Sequence, residues 1–113
     1  MKKTKTCEAY LALELIRGRW KLLILRQLRK GTQRTGQLAR ALDGVARNRL
    51  NENLRELERT GVIQRAVYKE RVLRVEYGLT DLGNSLCPII ESLHRWGRRN
   101  KEHLSGNVDL RKP

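Results

Sequence analysis

Phenylalanine is absent from this chain, and two tryptophans and three tyrosines are its whole aromatic complement. A surface that binds RNA or single strands by stacking needs a cluster of such rings, so that class is disfavoured. Acidic residues are scarce too: 12 Asp and Glu stand against 25 Lys and Arg, a formal charge of +13. Such an excess repels itself unless a polyanion is close. Nucleic acid is therefore the first candidate partner and an anionic membrane surface the second. Long apolar runs are missing; the longest, Leu22-Leu23-Ile24-Leu25, falls far short of the roughly 20 residues that span a bilayer. The basic start, Met1-Lys2-Lys3-Thr4-Lys5, is not followed by a signal-peptide core, because Glu8, Glu14 and Arg17 interrupt it and no cleavage site follows. A cytoplasmic protein without a membrane partner is expected.

Cysteine is limited to Cys7 and Cys87, with no CxxC and no metal-ligand spacing. In a reducing compartment neither is expected in a structural disulfide. Glu91 and His94 form an i, i+3 pair, too little for a metal site, and His103 has no ligand partner. The chain offers no Ser/His/Asp set, paired carboxylates or phosphate-cradling Gly-rich loop, so catalysis, a metal and a cofactor are all unsupported.

What is present is a chain of 113 residues with 39% hydrophobic content. That suits one folded domain over 1–113 with a single modest core. Ala9, Leu13 and Ile16 fall at helical spacing in a first helix over 8–17, with Gly18 as its stop. The apolar residues of 20–30 predict the central core helix, closed by Gly31. Thr32 and Thr35 are N-cap candidates for a short helix over 36–42. After the turn signal Asp43-Gly44 comes a helix over 46–60, with Leu50, Leu54 and Leu57 at i, i+4, i+7 and Gly61 as its C-cap. Two short helices joined by a tight turn, the second with a polar outer face, make a helix-turn-helix.

Beyond Gly61 the period changes to two, predicting strands over 62–68 and 74–79 joined by a loop tipped with Lys69 and Arg71. A hairpin directly after a recognition helix is a wing. Thr80 is the expected cap of a last helix over 81–104, which Pro88 is expected to kink. Leu82, Leu86, Ile89, Ile90, Leu93 and Trp96 make a continuous apolar stripe along it. With Leu86, Ile90, Leu93 and Trp96 it carries more apolar surface than a small wing core can cover, and self-association would bury the excess. The fold class is mainly α with a small β-hairpin, a winged helix-turn-helix with flanking helices.

These blocks resemble the HxlR-type winged-helix transcriptional regulators of bacteria. The resemblance runs over about residues 7–97 and rests on Cys7, the block Leu15 to Arg26, Gly36-Gln37-Leu38, the block Leu54 to Ile63 and the block Arg74 to Gly83. It implies a homodimer joined through the first and last helices, with Leu11, Leu15, Leu86, Ile90, Leu93 and Trp96 as interface candidates, on a palindromic operator. It also implies that a cysteine in the position of Cys7 senses electrophiles or oxidants in some members. This chain departs from the pattern at Glu8, where a proline commonly follows the cysteine, and at Thr35, commonly Phe. Ala46 replaces a Ser N-cap, and Arg47, Asn48 and Arg49 replace Pro-Arg-Met. Losing the Ser cap costs about 1 kcal/mol unless Asn48 or a water takes over.

A recognition helix reads bases with its first turns. Arg47, Asn48, Arg49, Asn51, Glu52 and Arg55 are the candidates here. Arg suits guanine O6 and N7, Asn suits adenine N6 and N7, and Glu accepts from cytosine N4. Glu52 fits better as an ion-pair partner steering Arg49 or Arg55. Thr35, Gln37 and the amides of the third helix are placed to hold a phosphate. Lys69, Arg71 and Arg74 on the wing reach the backbone or minor groove, or are simply solvated. Cys7 near Lys3, Lys5 and a helix N-terminus is a candidate thiol sensor; the alternative is a small apolar filler at the dimer contact. The partner expected is double-stranded DNA, with an electrophile or small molecule as effector. The competing function is an architectural, nucleoid-type protein that coats DNA without sequence preference.

Overall fold

In a computed structural model, which describes residues 7–108, the core forms around α2 (Arg19–Leu28). Trp20, Ile24, Leu25 and Leu28 are buried on it, and α3 (Thr35–Ala41), α4 (Arg47–Arg59) and α5 (Asp81–Arg99) all pack against it. From α4 come Leu50, Leu54 and Leu57, each at most 1% exposed, so the i, i+4, i+7 stripe is the core stripe. Leu38, Leu42, Val62, Ile63, Leu86 and Ile90 complete the same cluster.

Helix ends depart from the sequence reading in ways that have local causes. The first helix, α1 (Glu8–Leu15), stops short of 17 because Ile16 leaves helical geometry and turns into the core, its N–H reaching back only to Leu13 O. In α2 the last residues before Gly31 tighten into turns, with Lys30 N–H on Gln27 O. At α3 neither Thr32 nor Thr35 is the cap. Arg34 holds that position, and the Gln37 side chain accepts from its backbone N–H at 2.8 Å. The predicted helix over 81–104 runs through Pro88 but breaks at Asn100, whose side-chain amide donates to Trp96 O; α6 (Lys101–Asn107) follows.

The wing is β1 (Ile63–Tyr68) paired antiparallel with β2 (Arg74–Leu79), Ile63 opposite Leu79 and Tyr68 opposite Arg74. A contact absent from the sequence reading ties it to the helix-turn-helix: Gln33 and Tyr77 exchange both backbone hydrogen bonds, at 2.9 and 2.8 Å. Gly61, at φ 85, makes the left-handed exit from α4. Thr80 then caps α5, accepting from Gly83 N–H and donating to Gly61 O at 2.6 Å. Gly83 has no alternative there, since a Cβ would sit 2.1 Å from the Val62 carbonyl oxygen.

Candidate nucleic-acid interface

Burying three leucines fixes the roll of α4 and turns Arg47, Asn48, Arg49, Asn51, Glu52 and Arg55 to solvent together. All six expected contact residues thus lie on the exposed part of one helix. Their chemistry is less uniform than the sequence suggests. Ala46 offers no side-chain cap, and Asn48 supplies one instead, its Oδ1 accepting from the Arg49 N–H at 2.9 Å. With its oxygen so used, Asn48 can pair bidentately with adenine only by breaking that bond. Arg47 projects from the first turn, exposed, although the helical wheel inclines it toward the core.

Glu52 forms no ion pair with Arg49 or Arg55 among the described residues, in contrast to the expected steering role. The acidic residues of α4 that do pair reach other elements: Glu56 to Lys21 of α2 and Glu58 to Arg65 of β1. Lys21, hydrogen-bonded and charged beside it, holds the Glu56 carboxyl below the usual carboxylate range. Glu52 instead borders an open cavity of about 410 Å³ between the α1–α2 elbow and α4, with Arg17, Arg19, Arg49 and Asn53 also on its walls. Arg19 lies 4.3 Å over the Trp20 ring. Arg17 and Arg19 are not among the contact residues expected from the sequence; their signal there is their place in the Leu15 to Arg26 block, either side of Gly18 at a helix junction.

At α3, Thr35 is the half-buried first residue, and Gln37 spends its oxygen on the helix start, leaving its amide NH₂ to donate outward. Arg34, exposed beside them, is a further cation that the sequence reading missed. On the wing, Lys69 and Arg71 are exposed but Arg74 is not a free cation. Its guanidinium lies 4.2 Å from the Tyr68 ring centroid and forks to Glu76 at 2.8 Å and Glu70 at 3.1 Å. The cross-strand pairing of Tyr68 with Arg74 dictates that arrangement, so Arg74 stiffens the wing stem.

The candidate interface residues divide. Leu86 and Ile90 are 9% and 3% exposed and belong to the chain's own core, and Leu15 packs against that core. Leu11, Leu93 and Trp96 face outward, as do Leu82 and Ile89, which complete a second apolar stripe along α5. On α1, Tyr10 and Leu13 join Leu11 at more than half exposure, and no α1 residue is buried. Cys7 is exposed at the N-cap of α1; Lys3 and Lys5, its expected neighbours, lie outside the described residues. His94 meets Arg98 at 3.0 Å, and no group of three or more His, Cys, Asp or Glu gathers among the described residues. No described helix is long and apolar enough to cross a membrane.

A short helix, a turn, a second helix rolled to expose its polar face and a hairpin pinned beside them define a winged helix-turn-helix. Comparison with known proteins gives the family: the chain belongs to the HxlR-like helix-turn-helix family, which it matches over residues 15–105. It is a transcriptional regulator of that family and not an enzyme. It is 36% identical to the HTH-type transcriptional regulator YkvN of Bacillus subtilis (strain 168), across 98% of this chain and 96% of the relative. Among solved structures it is similar to the redox regulator HypR in its reduced form, with a TM-score of 0.83 at 31% identity, covering 88% of this chain and 99% of that one. The oxidised form of HypR gives 0.76, also at 31% identity, covering 92% and 100%.

Proposed function

We propose that the chain acts as a homodimer on a palindromic duplex operator, placing α4 in the major groove of each half-site. Arg47, Arg49 and Asn51 read base edges, Asn48 and Arg55 support them, and Glu52 accepts from a cytosine amino group. Thr35, Gln37 and the first amides of α3 hold one phosphate; Lys69 and Arg71 engage the backbone or minor groove on the wing side. Dimerisation uses the outward stripe of α5, Leu82, Ile89, Leu93 and Trp96, together with Tyr10, Leu11 and Leu13 of α1. The observation that carries this reading is the roll of α4, whose leucine face is fully buried while the polar side chains of its first turns point outward together.

Selection of bound sequences from a random duplex pool tests it, and a two-fold symmetric consensus is the expected result. Four or five neutralised phosphates per protomer give a slope of log K against log salt of roughly −7 to −9 for the dimer. A slope near zero would remove DNA binding. Equal binding to selected and bulk genomic DNA would favour the architectural reading that the +13 charge also suits.

Cys7 is the proposed input. Its thiol is exposed at the start of α1, next to the apolar residues assigned to the dimer contact, and the similarity to HypR in both redox forms favours the same class of signal. A peroxide would convert the thiolate to a sulfenic acid with release of hydroxide. Mass spectrometry after mild peroxide should find Cys7 oxidised, and Cys7→Ser should keep its DNA under the same treatment. Unchanged release by that variant would end the idea.

A further inference from the structure

The wing carries a feature that phosphate contacts do not explain. Val72 and Leu73, at its tip, are 77% and 63% exposed, the two most exposed large apolar side chains among the described residues. The remaining outward apolar residues on α1 and α5 lie on the faces assigned above to a second copy. Those of the wing tip are on neither. Arg71, next to Val72, and Lys69, three residues before it, are exposed cations, while the cation behind them, Arg74, is neutralised by Glu70 and Glu76 and stacked on Tyr68. Together these make a braced stem ending in two aliphatic side chains with a positive charge close by.

We propose that Val72 and Leu73 form an apolar wedge for the DNA minor groove. The inference rests on the reading of the wing as a DNA contact and adds to it a mode of recognition. An aliphatic side chain can satisfy no base-edge donor or acceptor, so it gains by packing on sugars and on the face of a base that has been partly unstacked. Lys69 and Arg71 hold the flanking phosphates and bring the tip to the groove. The stack and ion pairs of Arg74 keep the stem from folding away under load. An acidic or apolar protein surface is the competing occupant. DNA is favoured because Arg71 adjoins the apolar pair with Lys69 in the same loop, and because only Thr60, Gly61 and Val62 separate the end of α4 at Arg59 from the start of the wing at Ile63.

Wedging makes the wing sensitive to the cost of opening a step. Pyrimidine–purine steps open most easily and should be preferred where the tip lands. The test uses the full chain on a duplex carrying a selected site, with dyes at both ends, so that energy transfer reports bending and a salt titration reports phosphate contacts in the same samples. The wild-type chain should bend the duplex by about 20–90°. The double variant Val72→Ser, Leu73→Ser should lose most of that bend and bind about five- to tenfold more weakly, with an unchanged salt slope and an unchanged melting temperature. Lys69→Ala with Arg71→Ala should instead reduce the salt slope by about 1 for each charge per protomer.

If the wild-type chain binds with its steep salt dependence but leaves the duplex straight, the wedge is refuted and base reading by α4 stands. Equal bending by the serine variant refutes it too and gives the tip to a protein partner. Absence of duplex binding at any salt concentration would overturn both readings.

Discussion

Helices α4 and α5 both bury one apolar stripe against α2, yet they present opposite surfaces on the other side. Outside Leu50, Leu54 and Leu57, α4 exposes arginine, asparagine and glutamate through its first turns; outside Leu86 and Ile90, α5 exposes Leu82, Ile89, Leu93 and Trp96. A single buried stripe is enough to attach a helix to a small core. What the outward side carries is then free to differ, charged and amide side chains in one case and apolar ones in the other. The same residue type has different consequences on the two sides, and the variants below separate them.

The largest effect is expected inside α4. Leu54→Ala removes a side chain 1% exposed and should cost about 2–5 kcal/mol of folding stability, measured by urea unfolding at fixed protein concentration. The matching change on the outer side of α5, Leu93→Asp, starts from a residue 47% exposed. It should barely alter unfolding of the isolated chain but weaken self-association by about 2 kcal/mol or more, visible as a shift to monomer in sedimentation. A monomer of unchanged weight-average mass in both proteins would show that this stripe serves another partner. Arg49→Ala, on the outer side of α4, should leave stability within about 0.5 kcal/mol while costing about 1–3 kcal/mol of operator binding. A loss confined to one base position marks direct reading; a uniform loss marks a phosphate contact.

The smallest effect concerns the ion bridge that fastens α5 to α2. Arg26 grips Glu91 through Nε at 3.0 Å and through a second contact at 3.4 Å, and Arg29 adds a third at 3.0 Å. The hydrogen-bonded Arg26 lowers the Glu91 carboxyl below its ordinary 4.5. A carboxylate whose folded value is depressed contributes stability that is full above the unfolded value and is lost as pH falls through the folded one. Wild-type stability should therefore decline below about pH 4.5, and Glu91→Gln should flatten that part of the acid limb. Thermal melts of both proteins from pH 6 downward make the comparison, and parallel curves would assign the acid loss to other groups.

The two helices were not equally legible from sequence. In α4 apolar residues occur on one side only, so periodicity alone gives both the stripe and the polar face. In α5 they form one broader stripe, part of it buried and part of it outward, and nothing local distinguishes Leu86 and Ile90 from Leu82, Ile89, Leu93 and Trp96. The inward pair is selected by contact with α2 and by the Glu91 bridge, partners distant in sequence. Arg74 is a related case: its charge is visible in the chain, while its pairing with Glu70 and Glu76 depends on cross-strand register. Asn48 and Gln37 show a third limit. A polar side chain near a helix start can serve the backbone or a ligand, and only geometry shows that here both spend their oxygens on the backbone. The family blocks made the wing and its order legible, yet the Gln33–Tyr77 bridge left no trace in local pattern.

That bridge has a mechanical consequence. Because the segment entering α3 is hydrogen-bonded in both directions to β2, the wing cannot swing without dragging the start of α3 with it. The hairpin and the helix-turn-helix therefore behave as the two arms of a fixed-gauge calliper. The interval along a duplex between what α4 touches and what the hairpin touches is set when the chain folds. In the proposed dimer, adjustment to a target would come from how two such callipers are spaced and tilted against each other, and a signal would need only to shift the joint between protomers to put both half-sites out of step.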